Sequence, residues 1–301
     1  MNTKLQFGVL TLQYLPWEQE TARWQQMEAV GFDSIWFADH FVNYMQPSAP
    51  WYEAWTWLAA LATQTKTIRI GTLVTPITWR NPAWLARQAM TVDHISNGRL
   101  EIAIGAGAPA NIDCSYAMTG LPEWSPAERV ARVREVVEIL DVLLREEIAT
   151  YEGEYYHLKE SAVNPPTIQQ PRPPITIGAL GPKMLKLTAQ YADRWNSYGG
   201  DGLTADEMLK LTGERNRRLD DYCNDIDRDP ASLLRSLLLY GEPAEIAYTS
   251  IAGFRDVIGS YKEVGIQEFI LYYPFMDQHM PVFEEIIHDE IPKMRGANGK
   301  D

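Results

Sequence analysis

The sequence predicts an α/β protein whose strands close into a parallel barrel, a (β/α)8 fold. Strand-like apolar runs alternate with helix-like segments from end to end, and that alternation implies a parallel sheet. The alternation repeats eight times within 301 residues, which favours a closed barrel over an open sheet. No shift in composition marks a linker, so the chain reads as a single domain over residues 1–301. Two irregular passages, about 106–125 and 149–174, read as insertions on the barrel.

The first strand is Gln6 to Leu10. Trp17 to Val30 follows as a helix whose apolar positions Trp17, Trp24, Met27 and Val30 fall near the helical period. Ser34 to Ala38 is the second strand and Tyr52 to Thr65 the second helix. Ile68 to Val74 is the third strand. Asn81-Pro82 opens a helix to about Ile95, with proline in its first turn. Leu100 to Ile104 is the fourth strand. Ser125-Pro126-Ala127-Glu128 has the pattern of a helix N-terminus, and its helix runs to about Glu147. Tyr151 to Leu158 reads as a hairpin around Glu152-Gly153, and a proline-rich passage leads to the strand Ile175 to Ile177. Then come helix Pro182 to Tyr191, strand Arg194 to Asn196, helix Thr204 to Asn224 and strand Leu234 to Tyr240. Helix Ile251 to Val264 ends at Gly265, a C-cap signal. Strand Glu268 to Leu271, helix Met280 to Met294 and a polar tail expected to fray complete the chain.

The formal net charge is −13, which argues against nucleic acid or an anionic membrane as partner, since both need a basic face. No apolar run approaches the roughly 20 residues of a membrane helix. The start, Met1-Asn2-Thr3-Lys4, lacks a signal-peptide pattern, and the expectation is a cytoplasmic protein of enzyme size. Cys114 and Cys223 have no metal-site spacing. Cys114 lies in a loop, where a reactive thiol and an inert one are both open. His94, His157, His279 and His288 show no ligand spacing, so no metal is expected. Ten tryptophans and fifteen tyrosines predict an aromatic interior or pocket, with Tyr44, Trp51, Tyr52, Trp55 and Trp79 as candidates for its wall.

The carboxyl ends of strands are where barrels hold ligands. The second strand ends on Asp39-His40, a titratable pair suited to proton transfer or, alternatively, to capping the next helix. Gly71-Thr72-Leu73-Val74 places a small residue where backbone could approach a flat ring, or forms a plain bulge. Gly105-Ala106-Gly107-Ala108-Pro109-Ala110 formally matches a dinucleotide fingerprint, but Pro109 opens a loop where the fingerprint needs a helix. Gly178-Ala179-Leu180-Gly181-Pro182-Lys183 runs from strand through a glycine turn into a helix, a place where free N–H groups attract phosphate. Arg80, near Asn81 and Glu53, is a candidate holder of phosphate or carboxylate.

Four stretches together resemble the bacterial-luciferase-like superfamily of flavin- and F420-dependent oxidoreductases. They are Gly31 to His40; Ile70 to Pro76 with Arg80-Asn81-Pro82; Ser96 to Leu100 running into Gly105-Ala106-Gly107; and Pro174 to Lys183 with Tyr191 to Asn196. The resemblance spans about Phe7 to Ile291 and implies a luciferase-like barrel, active as a homodimer. Asp39-His40 looks like the F420 branch, where FMN monooxygenases often carry Glu-His. That branch implies a cis peptide at Leu73-Val74 buttressing the deazaflavin. It implies His40 as the proton-handling residue, with Asp39 orienting its ring or binding a cofactor hydroxyl. Gly71, Thr72, Leu73, Val74, Gly105, Ala106 and Gly107 would lie along the ring. Gly178, Ala179, Leu180, Gly181 and Lys183, with Arg80, would hold the cofactor's phosphate end. Some F420 sugar-phosphate dehydrogenases carry a Glu proton donor directly after the second glycine; here that position is Ala108, which puts a sugar-phosphate substrate in doubt. The expectation is hydride transfer between F420 and a small organic substrate. The alternatives are an FMN-dependent monooxygenase and a non-catalytic cofactor-binding barrel.

Overall fold

The computed structural model describes residues 5–296, and its fold is the (β/α)8 barrel that the strand–helix alternation predicts. The Met1-to-Lys4 lead-in and the tail expected to fray beyond Gly296 lie outside the described residues. The strands are β1 (Gln6–Thr11), β2 (Ser34–Phe37), β3 (Arg69–Thr72), β4 (Thr75–Pro76), β5 (Leu100–Gly105), β6 (Ala149–Glu152), β7 (His157–Ser161), β8 (Ile175–Gly178), β9 (Arg194–Ser197), β10 (Leu234–Leu239) and β11 (Glu268–Tyr272). The helices are α1 (Trp17–Ala29), α2 (Ala54–Gln64), α3 (Pro82–Ser96), α4 (Ser115–Thr119), α5 (Pro126–Arg145), α6 (Pro182–Tyr191), α7 (Ala205–Asn224), α8 (Glu242–Thr249), α9 (Ile251–Glu263), α10 (Met280–Glu285) and α11 (Ile291–Gly296).

The chain divides into two compact units. The first holds residues 5–11, 26–35 and 179–296. In it β1 pairs in parallel with β11, β11 with β10, and β10 with β9. The register sets Phe7 beside Phe269, and their rings stack at 6.0 Å. Phe254 of α9 lies 6.5 Å from Phe7, and all three rings are buried.

The second unit holds residues 12–25 and 36–178. Its strand β5 pairs in parallel with β3, β4 and β8, and every β5 residue is buried. The turn chemistry read from the sequence is present here. Asn81 caps α3, its side chain accepting from Ala83 N at 2.9 Å with Pro82 in the first turn. Ser125 caps α5 in the same way through Glu128 N. The expected hairpin forms from β6 and β7. Its turn rests on a group the sequence did not announce: the buried Glu135 carboxylate of α5 accepts from the backbone N–H of Glu154, Tyr155 and Tyr156 at 2.8–3.1 Å.

Three elements differ from expectation. The third strand does not run through to Val74; β3 stops at Thr72, the Leu73–Val74 peptide is cis as the resemblance implies, and β4 resumes at Thr75. A further helix, α8, precedes α9, started by Pro243 in its first turn. The C-terminal helix is broken into α10, a π turn over Ile286–Glu290 and α11. Pro292 lacks the N–H that would bond back one turn, and the register loosens just before it.

Arg99 ties the end of α2 to the start of β5. It is buried and donates to the carbonyls of Ser96, Ala62, Thr65 and Ile68 and to the Thr65 hydroxyl, all within 3.1 Å. Truncation would leave that whole set of acceptors unsatisfied, and lysine cannot reproduce the fork. Arg99→Ala is expected to lower the unfolding free energy by about 3–5 kcal/mol, with Arg99→Lys recovering less than half, as read from urea denaturation.

Candidate active site

The site residues of the second unit converge where β2 ends. Leu73 N donates to Phe37 O at 2.7 Å, which fastens the cis segment to the last residue of β2. Ala38 O then accepts from the Gln13 amide. Asp39 follows, 3 % exposed. Its Oδ2 accepts from Thr75 Oγ1 at 2.8 Å and from Arg80 Nη1 at 2.6 Å, and its Oδ1 from Arg80 Nη2 at 3.1 Å. Arg80 also bridges to Glu53, the N-cap of α2. Thr75 accepts from Trp55 Nε1 at 2.9 Å and meets Thr72 Oγ1 at 2.8 Å. Because the Thr75 hydrogen goes to Asp39, Thr72 is the donor of that last pair.

Burial pushes the Asp39 carboxyl above its ordinary range, and the Arg80 guanidinium and the Thr75 hydroxyl pull it back. Glu53 sits below the usual carboxylate range: partial burial opposes its ionisation, but the Thr56 N–H and Arg80 outweigh it. Arg80 is therefore committed to two carboxylates of this chain, and its charge is largely spent within the protein.

His40 does not meet the Asp39 carboxylate. Its Nδ1 lies 3.2 Å from Asp113 Oδ2, its carbonyl accepts from Trp51 Nε1 at 2.9 Å, and Tyr44 covers its ring at 5.1 Å. Asp113 belongs to the 106–125 passage, which is pinned at several points. Arg129 Nη1 donates to Gly107 O at 2.7 Å, Tyr116 Oη to Ala108 O at 3.1 Å, and Ala110 N to Glu123 at 2.9 Å. Among the aromatics proposed as walls, Trp51, Tyr44 and Trp55 thus touch the site residues directly, Trp79 packs on Tyr116 at 5.4 Å, and Tyr52 stacks on Trp57 at 4.3 Å.

The glycines are required by packing around the cis segment. A Cβ on Gly105 would come within 2.4 Å of Val74 Cγ2, and one on Gly178 within 3.3 Å of Val74 Cγ1. Gly71 faces Trp36 and the Glu101 carbonyl, at 2.6 and 2.8 Å from such an atom. Gly107 has φ +77°, a conformation that favours glycine. Thr72, Leu73 and Val74 accompany Gly71 along this edge, with Ala106 half-buried beside Gly105.

Ala179, Leu180, Gly181 and Lys183 belong to the first unit. Ala179 N donates to Asn196 O at 3.1 Å, and Leu180 O accepts from Arg215 Nε at 3.1 Å. Gly181 is the N-cap of α6, with Pro182 next, no side-chain cap on the helix start and open space where a Cβ would sit. Lys183 is exposed.

Several buried polar atoms of the second unit have no hydrogen-bond partner: Gln13 Oε1, Thr78 Oγ1, Trp79 Nε1 and Ser115 Oγ. Each neighbours residues already named, since Gln13 holds Ala38, Thr78 flanks Gly107 and Ser115 follows the Asp113 turn. Such atoms are costly to leave unpaired, and they fit a polar ring ligand that brings donors and acceptors. Gln13, Thr75 and Asp113 are functional candidates that the sequence reading missed. Asp113 lies 73 residues from His40 inside an irregular loop, where no periodicity points to a partner.

The chain belongs to the luciferase-like monooxygenase family, which matches over residues 3–221. It is 33 % identical over 207 residues to an F420-dependent glucose-6-phosphate dehydrogenase of Amycolatopsis mediterranei (strain U-32), covering 67 % of this chain and 60 % of that one. It is 37 % identical over 181 residues to a protein of the same name from Segniliparus rotundus, covering 58 % and 49 %. The match thus spans less than two thirds of these relatives' length. Among solved structures, an F420-dependent secondary alcohol dehydrogenase in complex with an F420-acetone adduct superposes with a TM-score of 0.79 at 22 % identity, over 94 % of this chain and 98 % of that one. The coenzyme F420 dependent tetrahydromethanopterin reductase of Methanopyrus kandleri gives 0.77 at 19 %, over 97 % and 99 %. At these identities the structures speak to the fold alone. No helix among the described residues is long and apolar enough to cross a membrane.

The contact between Gly105 and Val74 is open to a direct check. Gly105→Ala is expected to cost about 1–3 kcal/mol through overpacking, and less in a Val74→Ala background, as read from unfolding midpoints. An equal cost in both backgrounds would rule the contact out.

Proposed function

We propose that this chain is an F420-dependent oxidoreductase that moves a hydride between the deazaflavin and a small organic substrate. The observation that carries the reading is the end of β2. There a buried Asp39 is closed off by Arg80 and Thr75, and the next residue, His40, has Nδ1 on a carboxylate and Nε2 as its remaining polar atom. The F420 in the names of the aligned relatives supports the cofactor choice.

Bound F420 would supply the hydride donor or acceptor, which no side chain provides. Leu73, Val74, Gly105 and Gly107 would line its ring, and Gln13, Thr78 and Trp79 would offer polar atoms to its edge. In the first unit, the α6 N-terminus at Gly181 and Lys183 is proposed, on the family resemblance, as a phosphate-binding place. His40 handles the proton: Nε2 accepts it as a substrate C–O–H becomes a carbonyl, or returns it in the opposite direction. Asp39 and Arg80 hold the loop that carries His40 rather than exchanging protons with the substrate. Ala108 offers no acid after the second glycine, which counts against a sugar-phosphate alcohol as the substrate. The working form is proposed as a cytoplasmic homodimer, on the family resemblance.

His40→Ala is expected to bind F420 with affinity within about twofold of the parent and to lose about 10²–10⁴ in kcat. The measure is the change in F420 absorbance with a panel of alcohols and carbonyl acceptors. Unchanged turnover in this variant would remove His40 from the chemistry.

A further inference from the structure

The partner of His40 comes from outside the β2 segment, and its chemistry limits what the imidazole can do. Asp113 is 2 % exposed. Its Oδ1 accepts from Ser115 N at 2.9 Å, so the carboxyl group is fixed across the start of α4. Its Oδ2 meets His40 Nδ1 at 3.2 Å. Burial works against ionisation of Asp113, yet the bonds from His40 and Ser115 hold it below the ordinary carboxylate range. An ionised carboxylate only accepts hydrogen bonds, so the hydrogen between the two groups sits on Nδ1.

The remaining groups around the pair reinforce this. The backbone turn Pro109–Asp113 closes through Ile112 N and Asp113 N onto Pro109 O at 2.9 and 3.0 Å. Tyr116 and Arg129 hold the strand end behind it. Tyr44 covers the ring, and Trp51 fixes the His40 carbonyl. Asp39, which adjoins His40 in sequence, has its oxygens on Arg80 and Thr75. Asp113 is the carboxylate that these contacts leave for His40.

We infer that Asp113 is a positioning residue for the reaction: it fixes His40 as the Nδ1–H tautomer, so that Nε2 is an unprotonated base in the neutral ring. A free neutral imidazole has no such constraint, and which nitrogen carries the proton is set by the bond the other makes. The 106–125 passage thereby acts as a specific component of the site, delivering one carboxylate to one nitrogen. This rests on the proposed role of His40 in proton transfer, but the tautomer is a property of the protein alone and is measured without turnover.

The test is a long-range ¹⁵N–¹H correlation spectrum of the whole chain labelled at histidine, with the His40 signals assigned by their loss in His40→Gln. In spectra recorded at about pH 9, where an ordinary imidazole is neutral, the expected result is a His40 ring protonated at Nδ1 in the parent, retained in Asp113→Asn, whose side-chain oxygen still accepts, and lost to the Nε2–H form in Asp113→Ala. Parallel kinetics should show kcat lowered about tenfold or more in Asp113→Ala, with F420 affinity unchanged and partial recovery in Asp113→Asn. A parent ring protonated at Nε2 overturns the inference, and that spectrum needs no variant of Asp113 to fold. So does an Nδ1–H form that persists in Asp113→Ala. If the tautomer follows Asp113 while His40→Ala keeps full turnover, the inference about the pair stands and the proposed role of His40 falls.

Discussion

The forked ion pair between Asp39 and Arg80 is the constraint on which the rest of the site depends. A buried carboxylate is tolerated only when its lone pairs are filled, and here three donors fill them. Arg80 comes from the loop after β4 and Glu53 from the cap of α2, so one carboxylate gathers three segments. Thr75 completes the set because the break at Leu73–Val74 lets β4 restart there, with its hydroxyl toward Asp39 and its ring partner Trp55 behind it. Removing either member of the pair would strand a charge in a poorly solvated place, and the loop carrying His40 would lose its anchor.

The same segment explains the glycines. Val74 occupies the volume that side chains at 105 and 178 would need, so the glycines of two strands, β5 and β8, are there for one valine. Gly71 is spent on Trp36 and the Glu101 carbonyl. Backbone approach to a flat ring, the sequence-level reason for these glycines, is a second demand on positions that packing already restricts.

What the sequence made legible follows from where local rules operate. Alternating apolar runs, the Asn81-Pro82 and Ser125-Pro126 caps and the Gly265 stop are local signals, and the corresponding helices stand where expected. The Asp39-His40 pair was visible as titratable residues at a strand end. Its wiring was not. Asp39 and His40 take different partners, and a partner 73 residues away in an irregular loop leaves no periodic trace. Arg80 read as a holder of phosphate or carboxylate; that the carboxylates are those of Asp39 and Glu53, 41 and 27 residues away, leaves no local signal. The π turn before Pro292 and the anchoring of the hairpin on Glu135 likewise depend on tertiary contacts.

His40 stands on a carboxylate through Nδ1, the same unit holds buried polar atoms without hydrogen-bond partners, and the fold is shared with F420 enzymes. That cofactor is the central claim, and a side-by-side fluorescence titration of the purified protein with F420 and with FMN tests it most directly. The account predicts micromolar F420 affinity with FMN weaker by about tenfold or more. Tight FMN binding with weak F420 binding, or binding of neither, would contradict it.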